Sequence, residues 1–130
     1  MALWTPTPSV LIWLVEGYGD VELAEPAARE LTRATEGCRG MIVFFDGLSF
    51  TGYEPSFRAI LGLAGRQAIQ DGHVKEVCVL TRSKIVAMGA AVVAMTAESK
   101  FDVFSNVKAF EKRMVRAGAS IVLSGARATG

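Results

Sequence analysis

The chain has 130 residues, of which 51% are hydrophobic and 21% charged, and its formal net charge is +1 at pH 7. This length suits one domain with its own core, and this composition excludes a disordered chain. Because acids and bases are interspersed and no basic stripe occurs, nucleic acid is excluded as an expected partner.

The reactive residue types are scarce. Two cysteines, Cys38 and Cys78, and one histidine, His73, are too few for a disulfide scaffold, and we expect neither a metal nor a cofactor. We interpret both cysteines as free thiols in a reducing compartment. The N-terminus lacks the features of a signal peptide, and no apolar stretch reaches transmembrane length, so we expect a cytoplasmic protein.

The first third of the chain carries two strand patterns and one helix pattern. Residues 3–5 form a short first strand, and the run 10–15 is apolar without a period, as expected for a strand buried on both faces. A helix follows, capped either by Asp20 or by a residue near Glu25, and it ends near Gly37. Its apolar stripe is formed by Ala24, Ala27, Ala28, Leu31 and Ala34.

The middle of the chain repeats this alternation. Residues 41–45 predict a second buried strand, and the polar segment 46–54 is expected to be a loop. Pro55 then starts a helix, because proline is favoured in the first turn. The apolar positions of this helix are Phe57, Ile60, Leu61, Ala64 and Ala68.

The remaining elements continue the pattern towards the C-terminus. Residues 74–80 predict a third buried strand, and Ser83 can cap a helix over residues 84–98. Residues 101–104 predict a short fourth strand, after which Asn106 caps the last helix.

Strands that alternate with helices predict an α/β domain with a mixed, mostly parallel sheet of four or five strands and helices on its faces. We expect the N-terminal strand to be antiparallel at the edge. We assign residues 1–118 to this single domain and residues 119–130 to a C-terminal extension, in which a short strand at 119–123 precedes a loose tail.

The stretch VFFDGLSFTGY places Asp46 at the end of a buried strand. A phosphoryl-accepting aspartate would need neighbouring carboxylates for magnesium, and these are missing at the expected strand ends. We expect Asp46 instead to bond the backbone amides of its own loop. Since no nucleotide-binding glycine motif, catalytic triad or acid–base pair can be assembled either, we predict no catalytic residues and no enzyme.

The predicted helix at 84–98 is unusual because its segment 85–97 is uncharged on every side. It is either a buried crossover helix or a surface for a second subunit, an apolar ligand or a lipid. We expect one stripe to face the sheet, formed by Ile85, Met88, Val92 and Met95. We expect a flank that contacts a homodimer partner, a membrane surface or an apolar ligand, formed by Val86, Gly89, Ala90 and Val93.

The order and spacing of four short motifs resemble the STAS superfamily, and within it the SpoIIAA-like branch named after the anti-sigma factor antagonist of sporulation. These motifs are Gly17 before the first helix, DGLSFTG after the second long strand, VCVLTRS as the third strand, and FDVFSNVKAFEK near the end. The resemblance covers residues 2–117. It implies a cytoplasmic bacterial regulatory module that binds a protein partner and performs no catalysis.

The resemblance also implies a docking surface, formed by the loop 46–54 and the start of the following helix. Its expected partner-binding residues are Asp46, Thr51, Tyr53, Glu54 and Ser56, with Phe50 packed inward. Phosphoregulated antagonists carry an acceptor serine where this chain has Pro55, so we expect the standard phospho-switch to be absent. The remaining candidate phosphoacceptors are Ser49, Thr51 and Ser56.

An alternative function follows from the same resemblance. The SpoIIAA-like branch is related in fold to lipid-binding modules of the CRAL-TRIO type, which are thought to hold a hydrophobic ligand or contact a membrane between the sheet and mobile helices. The apolar helix at 84–98 fits a small apolar-ligand or lipid-binding module of this kind, and it fits a homodimer interface equally well.

Overall fold

The computed structural model describes residues 1–97 and 100–118. The strands are β1 (Ala2–Thr7), β2 (Val10–Leu14), β3 (Gly17–Gly19), β4 (Met41–Asp46), β5 (Phe50–Tyr53), β6 (Val74–Leu80) and β7 (Lys100–Phe104). The helices are α1 (Val21–Thr35), α2 (Pro55–Gln70), α3 (Lys84–Ala97) and α4 (Val107–Arg116). The strand and tail predicted beyond residue 118 lie outside the described residues.

The main sheet has five strands in the order β1-β2-β4-β6-β7. Strand β1 is antiparallel to β2 at one edge, and the other neighbouring pairs are parallel. This arrangement confirms the predicted α/β class, the mixed sheet and the antiparallel N-terminal strand. The aperiodic run at 10–15 is buried on both faces as expected, since Val10, Leu11 and Ile12 are each 0% exposed.

Two short strands that the sequence did not predict form a separate parallel ribbon, in which β3 pairs with β5, which lies inside the segment 46–54 that was expected to be a loop. Strands of three and four residues that contain glycine are too short to show a period, which is why they were missed. Gly19 is needed at this point, because a Cβ there would lie 2.8 Å from the ring of Phe57 and 2.9 Å from the ring of Phe50.

Helices cover both faces of the sheet. On one face, α1, α2 and α3 pack over a cluster that includes Trp13, Val43 and Phe57. On the other face α4 packs over a smaller cluster, and its Phe110 meets Phe44 edge to face with ring centroids 5.7 Å apart.

The predicted helix caps are confirmed. The carboxylate of Asp20 accepts from the Leu23 N–H at 2.9 Å at the start of α1. The Ser83 hydroxyl accepts from the Val86 N–H at 3.2 Å before α3, and the Asn106 side chain accepts from the Ala109 N–H at 3.0 Å before α4. Each cap satisfies a backbone donor that the first helical turn leaves unpaired, so these helix starts are determined locally.

The rotation of α3 is opposite to the one expected. Met88 is 68% exposed and Met95 is 79% exposed, whereas Val86 is only 4% exposed. The expectation that Val86, Gly89, Ala90 and Val93 face outwards is therefore wrong, because these residues face α2 and the sheet. A helix without a polar face has no pattern that sets its rotation, and here the small residues turn inwards where α3 approaches its neighbours closely.

The exposed apolar surface of α3 is called here the α3 stripe, and it consists of Ile85, Met88, Val92 and Met95. Within the described residues, α3 and the other helices are too short or too polar to cross a membrane.

Candidate functional site: an apolar cavity beneath α3

A cavity of about 150 Å³ lies between the sheet and the helices α2 and α3. Strands β2, β4, β6 and β7 contribute apolar side chains to it, as do α1 and the β5 strand. The inward residues of α3, namely Val86, Gly89, Ala90 and Val93, cover it from the other side. The four residues that we expected to form an apolar contact surface therefore do share one surface, which is internal.

Aromatic rings make up much of the cavity wall. Trp13 meets Phe45 edge to face, with ring centroids 5.1 Å apart, and Phe45 meets Phe50 at 6.2 Å. Phe50 then contacts Phe57 at 5.3 Å, and Tyr53 stacks on Phe57 at 6.1 Å. These edge-to-face and stacked contacts between rings stabilise the wall of the cavity on this side.

Tyr53 attaches α3 to the rest of the domain. Its hydroxyl donates to the main-chain carbonyl of Ile85 at 2.9 Å. A Cβ on Gly89 would lie 2.9 Å from Cζ of Tyr53 and closer still to its hydroxyl oxygen, so this position must be glycine for the ring to lie there. The phenol of Tyr53 thus lies directly against the backbone of α3.

Two glycines of α2 allow the two helices to approach. A Cβ on Gly62 would lie 3.2 Å from Cγ2 of Val93, and one on Gly65 would lie 4.0 Å from its Cγ1. With glycine at both positions, no side chain of α2 stands between its backbone and Val93 of α3.

Three of the lining residues carry a polar side-chain group, namely Tyr53, Arg58 and Trp13. The Trp13 N–H is buried and has no hydrogen-bond partner among the residues that the structure describes. Among the described residues that line the cavity, Arg58 alone is exposed to solvent. We therefore place the opening of the cavity at Arg58. The sequence did not single out Arg58 or Trp13, because neither belongs to a recognisable motif.

The expected docking residues are divided between two environments. Asp46 is 1% exposed, and its carboxylate accepts from the Leu48 N–H at 3.2 Å. The prediction that Asp46 caps its own loop is confirmed, and its place among the partner-contacting residues is wrong because a partner cannot reach it. Phe50 is buried as expected.

The other docking residues lie nearer the surface. Thr51 is exposed and donates from its hydroxyl to the Gly17 carbonyl at 3.0 Å, and Glu54 is exposed at the start of α2. Ser56 is half-buried, as is Tyr53, whose hydroxyl is occupied by α3. Their roles in docking, and those of Ser49, Thr51 and Ser56 as phosphoacceptors, stay predictions.

A cluster of charged and thiol groups lies on β6 and β7, away from the cavity. Donor atoms of Glu76, Cys78 and Asp102 lie within 4.8 Å of one another. Glu76 is already paired with Arg113 of α4 and with Lys100, whose Nζ lies 3.4 Å from Oε1. Burial raises the pKa of the Cys78 thiol to about 12, with the charge of Glu76 as a secondary cause. A metal would have to displace two cations and deprotonate this thiol, so we interpret the cluster as structural.

The raised pKa of Cys78 predicts that only one thiol per chain reacts rapidly with a disulfide-exchange reagent at pH 8. At that pH a thiol of pKa about 12 is ionised in roughly one molecule in 10⁴, which is about 1000-fold less than a thiol at the usual 9.0. Cys78 is also 0% exposed. The rapid reaction should disappear in Cys38→Ser, and both thiols should react in denaturant. Two rapidly reacting thiols in the native protein would contradict this assignment.

Comparison with known proteins supports the fold. No protein-family model matches the sequence, and a search of curated proteins finds no match. The structure matches the crystal structure of an uncharacterized protein of the DUF3478 family with a SpoIIAA-like fold, from Shewanella loihica PV-4. The TM-score is 0.62 at 14% sequence identity, and the match covers 82% of this chain and 86% of that chain. This chain therefore has a SpoIIAA-like fold, which confirms the resemblance inferred from its motifs at the level of the fold.

Proposed function

We propose that this protein is a non-enzymatic binding module that takes a small apolar ligand into the cavity beneath α3. The observation that carries the proposal is the cavity itself, which has a volume of about 150 Å³ and walls that are almost entirely aromatic and aliphatic. Concave apolar sites with a few polar groups are the usual form of small-molecule sites in proteins.

The energetic cost of the cavity supports this proposal. Protein interiors are normally close-packed, and a closed void of this volume would destabilise a fold by about 3–4 kcal/mol at the cost measured for engineered core cavities, which is an upper bound for a cavity that opens to solvent on one side. That cost is a large part of the stability of a small domain. A ligand that fills the void restores the missing contacts, so binding and folding favour each other.

The protein-docking function of the antagonist family receives less support from the geometry. Asp46 is buried and Tyr53 is half-buried with its hydroxyl bonded to α3, so Thr51, Glu54 and Ser56 are the expected docking residues that remain best placed for a partner. A regulatory role through these three residues is compatible with ligand binding, because none of them lines the cavity.

A homodimer or membrane contact has a different candidate surface from the one first expected. The α3 stripe is the exposed apolar part of this helix, and Met88 and Met95 provide adaptable side chains for such a contact. Association would then use the outer side of α3, whereas the ligand would contact its inner side.

Ligand binding is tested with benzene, which matches the cavity in size and carries no polar group. At about ten times its dissociation constant we expect benzene to raise the melting temperature of the protein by about 3–6 °C, because it binds only the folded state. Methyl resonances of Val86 and Val93 should shift at the same time, since both side chains line the cavity.

The matched variants are two alanine-to-leucine changes on α3. Ala90→Leu places its side chain in the cavity and should abolish both effects of benzene, whereas Ala91→Leu, next to it on the helix and outside the lining, should preserve them. Wild-type protein that shows neither a melting shift nor a methyl shift would refute the proposal. So would equal binding to both leucine variants.

A further inference from the structure

Arg58 lies in the first two turns of α2, at the opening of the cavity. A Cβ on Gly89 would lie 3.4 Å from Cδ of Arg58, so the aliphatic stem of this arginine rests against α3. The residue as a whole is exposed, which means that its stem covers apolar surface while its charged end reaches water. The opening of an otherwise apolar cavity therefore carries one positive charge.

No ion pair with a described residue neutralises this charge. The ion pairs of Arg33 with Glu30 and of Glu76 with Lys100 and Arg113 do not involve Arg58. Glu54 lies four positions earlier, yet it contacts Arg58 only through its main-chain carbonyl, which accepts from the Arg58 N–H at 3.3 Å. A guanidinium is a planar fork of donors that matches a carboxylate, and here the fork is available to a ligand.

The size and the walls of the cavity limit what can occupy it. A cavity of about 150 Å³ is comparable to engineered cavities that take up benzene, so it holds an apolar group of about six to eight carbon atoms and not a long acyl chain. The rings of Phe45, Phe50 and Phe57 offer edges and faces to an aromatic occupant.

From these observations we infer that the ligand of the proposed binding function is a small carboxylic acid, with its apolar tail in the cavity and its carboxylate paired with Arg58. The tail is either an aryl ring or a short alkyl chain of about the same volume, and both share this mode of recognition. This inference rests on the proposed function, because it names the chemistry of the ligand in the same cavity.

The test compares acids with their neutral amides by titration calorimetry on the full chain. Phenylacetate and phenylacetamide form the aryl pair, and hexanoate and hexanamide form the alkyl pair. Within each pair we expect the acid to bind about five- to tenfold more tightly, because only the acid forms a charge-assisted hydrogen-bonded pair with the guanidinium. This advantage should shrink as salt is added, since the pair lies at the surface.

The deciding variant is Arg58→Gln, which should reduce the affinity for the acids to that for the amides without changing benzene binding. Arg66→Gln is the matched control, because Arg66 lies on the same helix and does not line the cavity, and it should bind acids as the wild type does. Whichever acid binds more tightly identifies the tail as aryl or alkyl.

The outcomes separate this inference from the function on which it rests. The carboxylate assignment would be refuted if the acids bound no better than their amides, or if they bound Arg58→Gln as tightly as the wild type. Benzene binding to the wild type would in that case still support the apolar site. If neither benzene nor the acids bind, the carboxylate assignment and the proposed function are both wrong.

Discussion

Replacement of Arg113 by methionine is expected to lower the free energy of unfolding by about 3 kcal/mol, which is the largest effect that we predict for an exchange of one side chain. The reason is the carboxylate of Glu76, whose side chain is 5% exposed and which pairs with Arg113 across the interface between β6 and α4. Removing one member of a buried ion pair leaves the other charge buried without compensation, at a cost of about 3–5 kcal/mol. We expect the lower end, because Lys100 remains 3.4 Å from the same carboxylate.

Urea denaturation of a mutant cycle measures this effect. The double variant Glu76→Leu/Arg113→Met removes both charges and should recover most of the lost stability, because well-packed apolar pairs often replace buried ion pairs without loss. Lys112→Met is the matched control on the exposed side of the same helix and should change stability by less than about 0.5 kcal/mol. Stability of Arg113→Met within that margin would show that the pair does not hold α4 on the sheet.

A second large effect is expected for Gly89→Ala, which should destabilise the fold by about 2 kcal/mol although alanine favours a helix by about 1 kcal/mol over glycine. The added Cβ would overlap the phenol of Tyr53, so the ring has to leave its position on α3. Its hydrogen bond to the Ile85 carbonyl is then lost, together with its stacking on Phe57.

The comparison that isolates this clash uses two further changes. In a Tyr53→Leu background, Gly89→Ala should become neutral or stabilising, because the overlapping ring is gone and the helix propensity of alanine remains. Gly65→Ala is the matched helical glycine, whose added Cβ meets only Val93 at 4.0 Å, and it should stabilise the protein. Equal effects of Gly89→Ala with and without Tyr53 would refute the contact between Tyr53 and α3.

Filling the cavity and detaching α3 therefore have separable consequences. Ala90→Leu should remove ligand binding and retain the attachment of α3, because Tyr53 contacts the helix at Ile85 and Gly89. Gly89→Ala disturbs the attachment itself. If the ligand reaches the cavity by a displacement of α3, the second variant should speed both association and dissociation.

Several features of this protein could be predicted from the sequence because each depends on residues close together in the chain. Asp20, Ser83 and Asn106 cap helices through donors only three positions away. Asp46 bonds its own loop in the same way. The alternation of aperiodic apolar runs with helical stripes determined the α/β class, since burial on both faces of a strand is visible in the run itself.

The site could not be predicted, because it depends on which surfaces meet. The apolar sides of α3 are chemically alike, so its rotation is decided by contacts with other elements. Gly89 fits against Tyr53, whose hydroxyl bonds the Ile85 carbonyl 32 positions away in sequence, and Val93 fits against the glycines of α2. Arg58 lies at the opening of the cavity only because α2 packs against α3 in the folded chain. Local hydrogen bonds and burial patterns are encoded within a few neighbouring residues. Shape complementarity between distant elements is a property of the packed chain, and this complementarity turns the small residues of α3 towards the cavity.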